Sequence, residues 1–445
     1  MKMTRLAFDF RAAPAARSFR FDLARHDLRA VLPAALQPVV QNGILDRMFR
    51  DALLPQFLFP ATASVEPVAQ GIGAQVTFTR DGLLAPTTTP TTGSDPSPQT
   101  LTYEQWSMNV EQYSGTMDTN RLSARAALAD LFVRNVQKLG IQAGQSLNQL
   151  ARNKLYAAYG GGLSWVTTAQ GSASTTCVVK DATGFDTVMV NGVPTTVSAG
   201  NPLNITINGT ANTVTACNLS TKTLTLGTAV TQAIGDTVVA STAPYTLRAG
   251  SRASRYNLTG SDVMTAALVR SAVQRLRSAN VPTIGGNYVC HMDPVTEGEL
   301  FADADFKQAY QGRGDSAVFG EMSIGTFLGV DWVRNNETPT TTDGGTSANL
   351  TVHRPIFMGA DALMAGPYEG ISELLADTGV ENVPYISMIG PANGVEVAMI
   401  IRPPQDRLQQ IISASWSWVG DFAAPSDITT GDAAKYKRAV IIEHV

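Results

Sequence analysis

The chain has 445 residues, 44% of them hydrophobic and 16% charged, with a formal net charge of −4. At roughly 100–200 residues per domain, this predicts two or three folding units with real cores and excludes a disordered chain. The acidic balance excludes a globally basic nucleic-acid binder. A charged share well below the usual value of about 25% points either to a small exposed surface or to one largely hidden against partners.

Residues 1–70 read as an arm and a connector. The start, "MKMTRLAFDFRAAPAARSFRFDLARHDLRA", is studded with Arg5, Arg11, Arg17, Arg20, Arg25 and Arg29. Asp9, Asp22 and Asp27 dilute that charge, so contact with a protein neighbour is favoured over contact with phosphates. The arm has no uninterrupted apolar core of a secretory signal, and no run approaches the ~20 apolar residues of a membrane span. The expectation is a soluble, cytoplasmically made protein. Ile44, Leu45, Met48, Phe49 and Leu53 then recur at helical spacing until Pro55 and Pro60.

Residues 71–116 alternate like two strands around the polar tip "TTTPTTGSDPSPQ", which predicts a long protruding hairpin. A lone hairpin is marginal in water, so support from a neighbouring subunit is expected. Residues 117–162 carry the strongest helical stripe, including Leu122, Ala126, Leu131, Phe132, Val136, Leu139, Leu147, Leu150, Leu155 and Tyr159. Asp118 or Thr119 would cap its start, Gly140 and Gly144 interrupt it, and Gly160–Gly162 end it. A beam this long, bent at the glycines, would exceed the usual helix of about 11–12 residues.

Residues 163–250 change character. Between Trp165 and Pro244 the only charges are Lys180, Asp181, Asp186, Lys222 and Asp236; the rest is Thr, Val, Ser, Asn and Gly in short alternating runs. This predicts an inserted all-β module, a sandwich (an Ig-like one included) or a barrel, with a hairpin turn at Asn191–Gly192. Its sequons at Asn204, Asn208 and Asn218 follow from composition alone. A helix–strand mixture returns in 251–400, with a helix capped by Ser261 or Asp262. More strands follow in 401–445. The host is α+β.

The best candidate for chemistry is "NYVCHMDPVTEGEL", Asn287 to Leu300. A metal-dependent hydrolase would use His291, Asp293 and Glu297. No HExxH, phosphate loop or GxSxG elbow is present, Cys177, Cys217 and Cys290 form no CxxC pair, and His26, His353 and His444 lie far away in sequence. A strand running into a helix explains more: Asp293 at the N-cap, Pro294 in the first turn, and Glu297 and Glu299 near the positive end of the helix dipole. No catalytic residue, metal or cofactor is expected. The Arg313–Gly314–Asp315 tripeptide reads as chance in a Gly-rich loop.

The order of parts then becomes informative. Arm, long hairpin, long helix and α+β domain is the order in tailed-bacteriophage major capsid proteins of the Hong Kong 97 type. "YVCHMDPVTEGELFADADF" (288–306), "GEMSIGTFLGVDWVRNNE" (320–337) and "FMGADALMAGP" (357–367) resemble segments of the N-four-like capsid family, in the same order and spacing. The resemblance covers the chain except about 163–250. It implies an N-arm, an extended loop, a spine helix, a peripheral domain and an axial domain. Copies would assemble into hexamers and pentamers of an icosahedral shell around double-stranded DNA, with non-specific DNA contact inside. It also implies scaffolding and portal partners and a decoration protein as a further candidate, with assembly in the bacterial cytoplasm and residence in the virion. Some relatives crosslink through a Lys on the extended loop; none lies between Gly71 and Asp118 here. The rival reading is a secreted or virion-surface adhesin whose β module binds a receptor.

Overall fold

A computed structural model describes residues 37–69, 75–81, 103–120, 131–190, 193–310, 324–346, 349–370, 385–390, 394–404, 410–425, 427–430, 433–435 and 438–445, with single residues between 73 and 99 and at 406–408. The arginine-rich arm, the hairpin tip and the Arg313–Asp315 tripeptide lie outside the described residues. The fold is mixed α+β, with three six-stranded sheets and four two-stranded ones among the described residues.

Helix α1 (Gln37–Leu53) ends in two short 3-10 turns at Pro55 and Pro60, as proline at the first positions of a turn dictates. After β1 (Ser64–Val65) come β2 (Gln75–Asp81) and β3 (Tyr103–Asn109), which pair in register from Gln75↔Asn109 to Asp81↔Tyr103. The hairpin was expected to lean on a neighbour. Its inward side packs on its own chain: Met108 and Trp106 are buried against Met364. A side chain at Gly366 would come 2.7 Å from the Met108 sulfur.

The next segment corrects the sequence reading. Residues 117–120, assigned to the helix, continue the strand β4 (Glu111–Asn120), antiparallel to a late strand from Ile411↔Asn120 to Gly420↔Glu111. The capping residues Asp118 and Thr119 are ladder residues, and Asn135 Nδ2 donates to the buried Thr119 hydroxyl at 2.8 Å. The described helix, α2, runs Leu131–Gly160 without a break. Gly140 and Gly144 do not interrupt it; they admit α1. A side chain would stand 2.8 Å from the Phe49 carbonyl oxygen at Gly140 and 2.9 Å from that of Leu53 at Gly144.

The insert comprises β5 (Leu163–Trp165), β6 (Gln170–Val178), β7 (Thr187–Val190), β8 (Val193–Thr196), β9 (Leu203–Ile207), β10 (Thr210–Asn218), β11 (Thr223–Gln232) and β12 (Thr237–Ala240). Its sheet order is β5-β12-β9-β10-β11-β6. A bridge between Val166 and Val179, just past β5 and β6, joins the two ends. The module is therefore a closed barrel rather than an Ig-like sandwich, and closure removes both open edges. Leu203, Ile205, Ile207, Val214, Leu224 and Val238 fill it. The β7–β8 hairpin stands off the barrel and packs against β3.

The strand β13 (Thr246–Arg248), grouped with the insert by composition, pairs with the host. Helix α3 (Ala266–Ser278) is capped by Thr265, whose hydroxyl accepts from Leu268 N at 3.4 Å. Asp262, the expected cap, accepts from Thr259 N and Arg252 instead. The strand β14 (Tyr288–Met292) leads into α4 (Pro294–Ala302) and α5 (Ala304–Tyr310). Then follow β15 (Thr326–Phe327), β16 (Val330–Arg334), β17 (Thr341–Gly344), β18 (Leu350–Val352), β19 (Ile356–Met358), β20 (Met364–Pro367), β21 (Tyr385–Ile389), β22 (Val397–Arg402), β23 (Ile411–Ala423), β24 (Asp427–Thr430), β25 (Ala433–Lys435) and β26 (Ala439–Glu443).

One host sheet runs β1-β20-β23-β22-β21, with β4 on the free side of β23. The other runs β13-β26-β19-β14-β16-β15. Every residue of β14 and β26 is buried, because this second sheet is covered on both faces. Ile356, Met358 and Ile441 face the core shared with α1 and α2; Cys290, Phe357, Val440 and Ile442 face α3 and α4.

Candidate functional site

The stretch Asn287–Leu300 lies at the centre of the second host sheet, and its polar residues go to separate partners. On β14 alternate residues point to opposite faces. Cys290 and Met292 enter the core under α3, and burial pushes the Cys290 thiol well up. His291 points the other way, wholly buried. Its ring lies 4.3 Å from that of Phe59, its Nε2 lies 3.4 Å from the Thr62 hydroxyl, and its Nδ1 has no partner. Burial lowers its pKa to about 3, so it is a neutral imidazole.

Asp293 occupies the N-cap position with Pro294 behind it, but its carboxylate does not bond the helix backbone. It accepts from the Thr296 hydroxyl and lies 2.6 Å from His353 Nδ1. Burial pushes Asp293 up, but the contacts with His353 and Thr296 outweigh it and bring its pKa down to about 2. Glu297 receives Arg334 through two bonds of 2.8 and 2.9 Å. The hydrolase set His291, Asp293 and Glu297 therefore does not converge. Among the described residues, no group of three or more His, Cys, Asp or Glu is placed to hold a metal ion.

What sequence reasoning missed is the company of Asp293. His353, ahead of β19, and His444, just after β26, are far apart in sequence but form a bridge: His353 N donates to His444 O at 2.8 Å, and His444 N to His353 O at 3.2 Å. Their rings stack 5.4 Å apart. His444 Nε2 lies 2.8 Å from the Thr296 hydroxyl and its Nδ1 lies 2.8 Å from Glu299 Oε2. Glu299 also accepts from Met264 N at 2.6 Å, which ties α4 to the start of α3. Thr296, His444 and Glu299 thus form a hydroxyl–imidazole–carboxylate series, the arrangement of a nucleophile with its base. Thr296 and His444 are both 0% exposed and the hydroxyl proton goes to Asp293, so no substrate reaches the oxygen. The arrangement can hold protons and position elements.

A second buried group was also missed. Glu443, beside His444, gathers Arg248 at 2.7 Å, Arg354 at 3.4 Å and Arg255 at 3.5 Å. Burial pushes this carboxyl up, but the three guanidinium groups more than offset it and hold it below its usual range. Arg255 also lies over the Trp165 ring at 5.4 Å, joining the barrel to the host. The sequence signal was available in "AVIIEHV": an apolar strand that ends in two ionisable residues must provide for both.

An open cleft of about 400 Å³ separates the barrel from the hairpin, lined by Trp106, Lys154, Gly184, Asp186, Met189 and Phe422. Lys154 is held by the buried Asp421 at 2.8 Å.

No family model matches the chain, and no curated protein sequence matches it. Among solved structures it is similar in fold to the capsid of Ralstonia phage GP4, with 15% identity and a TM-score of 0.48 over 86% of this chain and 90% of that one. It is also similar to the cyanophage Pam1 capsid asymmetric unit, at 11% identity and TM-score 0.47 over 89% and 92%. The capsid of the cyanophage P-SCSP1u gives 11% identity and TM-score 0.46 over 87% of each chain.

Proposed function

We propose that this chain is the major coat subunit of a tailed bacteriophage, built on the Hong Kong 97 plan and acting by self-assembly rather than catalysis. The observation that carries this reading is the placement of the three motif segments. Tyr288–Met292 and Val330–Arg334 lie in the motifs at 288–306 and 320–337, the motif at 357–367 begins within Ile356–Met358, and the three are adjacent strands of one sheet, in the order β19-β14-β16. Segments that resemble one family's sequence in order and spacing thus build a single structural unit. The polar cluster around Thr296 supports the same reading, because Thr296 and His444 are fully buried and offer no surface to a substrate.

In this reading the second host sheet with α3 and α4 belongs to the axial part. The helix α2 is the spine, and the hairpin is the extended loop through which a subunit meets its neighbour. The partners are copies of the chain in hexamers and pentamers, with scaffolding, portal and decoration proteins around them and DNA held non-specifically inside. Assembly takes place in the bacterial cytoplasm and the product resides in the virion. Large permanent interfaces are more apolar than transient ones, which suits a charged share of 16%. Negative-stain microscopy and size-exclusion chromatography of the full chain test this. Capsomers or megadalton shells are expected; small monodisperse species under all conditions, scaffold included, overturn it.

A further inference from the structure

The charges on the two helices that cover the first host sheet are one-sided. Helix α2 holds Arg134, Lys138, Arg152 and Lys154, and no acid in its 30 residues. Lys154 is taken by Asp421, and Arg152 donates to the Glu337 carbonyl oxygen and to Asn153. Arg134 and Lys138 are exposed, and neither has an ion pair among the described residues. On α1, Arg47 and Arg50 are likewise exposed and unpaired among the described residues. Of the two acids of α1, Asp46 is half-buried and accepts from the Tyr385 hydroxyl at 2.6 Å, so only Asp51 is exposed.

These cations share one surface. Tyr385, Ile401 and Ala414 stand opposite one another across β21, β22 and β23, so they lie on one face of the sheet. On that face Trp416, two residues from Ala414, meets α2 through Gln142 at 3.4 Å, and Tyr385 meets α1 through Asp46. The helices therefore lie side by side over the sheet, in close contact at Gly140 and Gly144. Their apolar stripes, with Phe49, Leu53, Val136 and Leu139, go down into the core. Arg47, Arg50, Arg134 and Lys138 are left on the side turned away from it, with Gln137 and Gln145 exposed beside them.

We propose that this outer face of α1 and α2 binds the phosphates of double-stranded DNA, without regard to base sequence. The site rests on the coat reading and adds to it the side of the subunit that faces inward. A net charge of −4 disfavours contact between DNA and the chain as a whole, so contact needs a place where cations outnumber acids. Arg, Lys and Gln side chains are among those that hold phosphate oxygens. A face built for a protein partner would carry aromatic anchors and few lysines. Among the described residues of these helices, the large apolar side chains left exposed are Ile44 and Ile141, and neither is aromatic. The arginines of α3 are otherwise engaged: Arg270 pairs with Asp305 at 2.8 Å, and Arg275 lies over the Tyr245 ring at 4.3 Å.

The test uses full-length protein freed of closed shells by sedimentation, since added DNA cannot enter them. Binding to a fluorescently labelled duplex is followed by anisotropy over about 50–200 mM salt, where each phosphate contact adds about 0.9 to the slope of log affinity against log salt. Two duplexes of unrelated sequence are expected to bind equally. The combined variant Arg47→Gln, Arg50→Gln, Arg134→Gln, Lys138→Gln should lower the slope by about 3–4 and weaken binding at least about tenfold. Arg270→Gln with Arg275→Gln should leave both unchanged. If the combined variant does not fold, Arg134→Gln and Lys138→Gln singly should each lower the slope by about 0.9. Wild-type slope and affinity in the variant, as when the arginine-rich arm supplies the contacts, would overturn the assignment. So would binding of polyglutamate with no binding of duplex, which would mark the face as a dock for an acidic protein. The coat reading is judged separately: the variant is expected to form capsomers or shells by negative stain whether or not it binds DNA.

Discussion

His291 and His353 show how differently one residue type behaves in one structure. His291 packs on Phe59 with no charge near it, and burial alone holds its pKa at about 3. A lowered histidine contributes stability that is present above its unfolded value of about 6.5 and is lost as pH falls towards the folded one. Replacing His291 with Leu is therefore expected to flatten the fall of thermal midpoint between pH 6.5 and 3, as read by calorimetry. His353, raised by its contact with Asp293, contributes stability that is lost as pH rises, so the two limbs of the pH profile belong to different residues. Neither behaviour is visible in a histidine's sequence neighbours. The strand Tyr288–Met292 is legible as a strand, but which face of it meets a carboxylate is settled by what packs there.

The elements were legible where the signal is local. Pro55 and Pro60 end α1, Thr and Val alternation gives the barrel strands, and Asp293-Pro294 starts α4. They were illegible where a distant strand decides. Residues 117–120 are polar enough to pass for the start of an amphipathic helix, but β23 offers them a ladder, and pairing overrides propensity. The glycines of α2 were misjudged for a related reason: helix propensity treats Gly as a break, whereas a helix crossing at close range requires it. Gly144→Ala would place a methyl 2.6 Å from the Gln56 Cβ and 2.9 Å from the Leu53 carbonyl oxygen. It is expected to destabilise the chain by about 1–3 kcal/mol, measured by urea unfolding.

At the scale of the whole molecule, the barrel is spliced into the host at one point. A side chain at Gly162 would come within 3.3 Å of Ala243, so the chain enters and leaves side by side. Joining residue 162 to 243 is expected to leave a folded host, because Thr246–Arg248 keep their pairing with β26 and Arg248 keeps Glu443. Removing 163–250 also deletes that strand and that arginine, and should lower the thermal midpoint well below the shorter excision; equal midpoints would contradict this. Composition drew the edge of the insert at 250 because Thr246–Arg248 carry no pattern that distinguishes host from insert. Their partner, not their identity, assigns them. The sequence by itself determined the α+β class, the β nature of the insert, the strand-to-helix turn at Asp293 and the motifs that point to a coat subunit, since all of these depend on residues near one another along the chain. Only the tertiary structure decided that the barrel closes, that β4 is a strand, that the hairpin rests on its own subunit and that His353 and His444 converge on α4. Those outcomes depend on strand order and on which faces are buried, and they join residues that meet only once the sheets have formed.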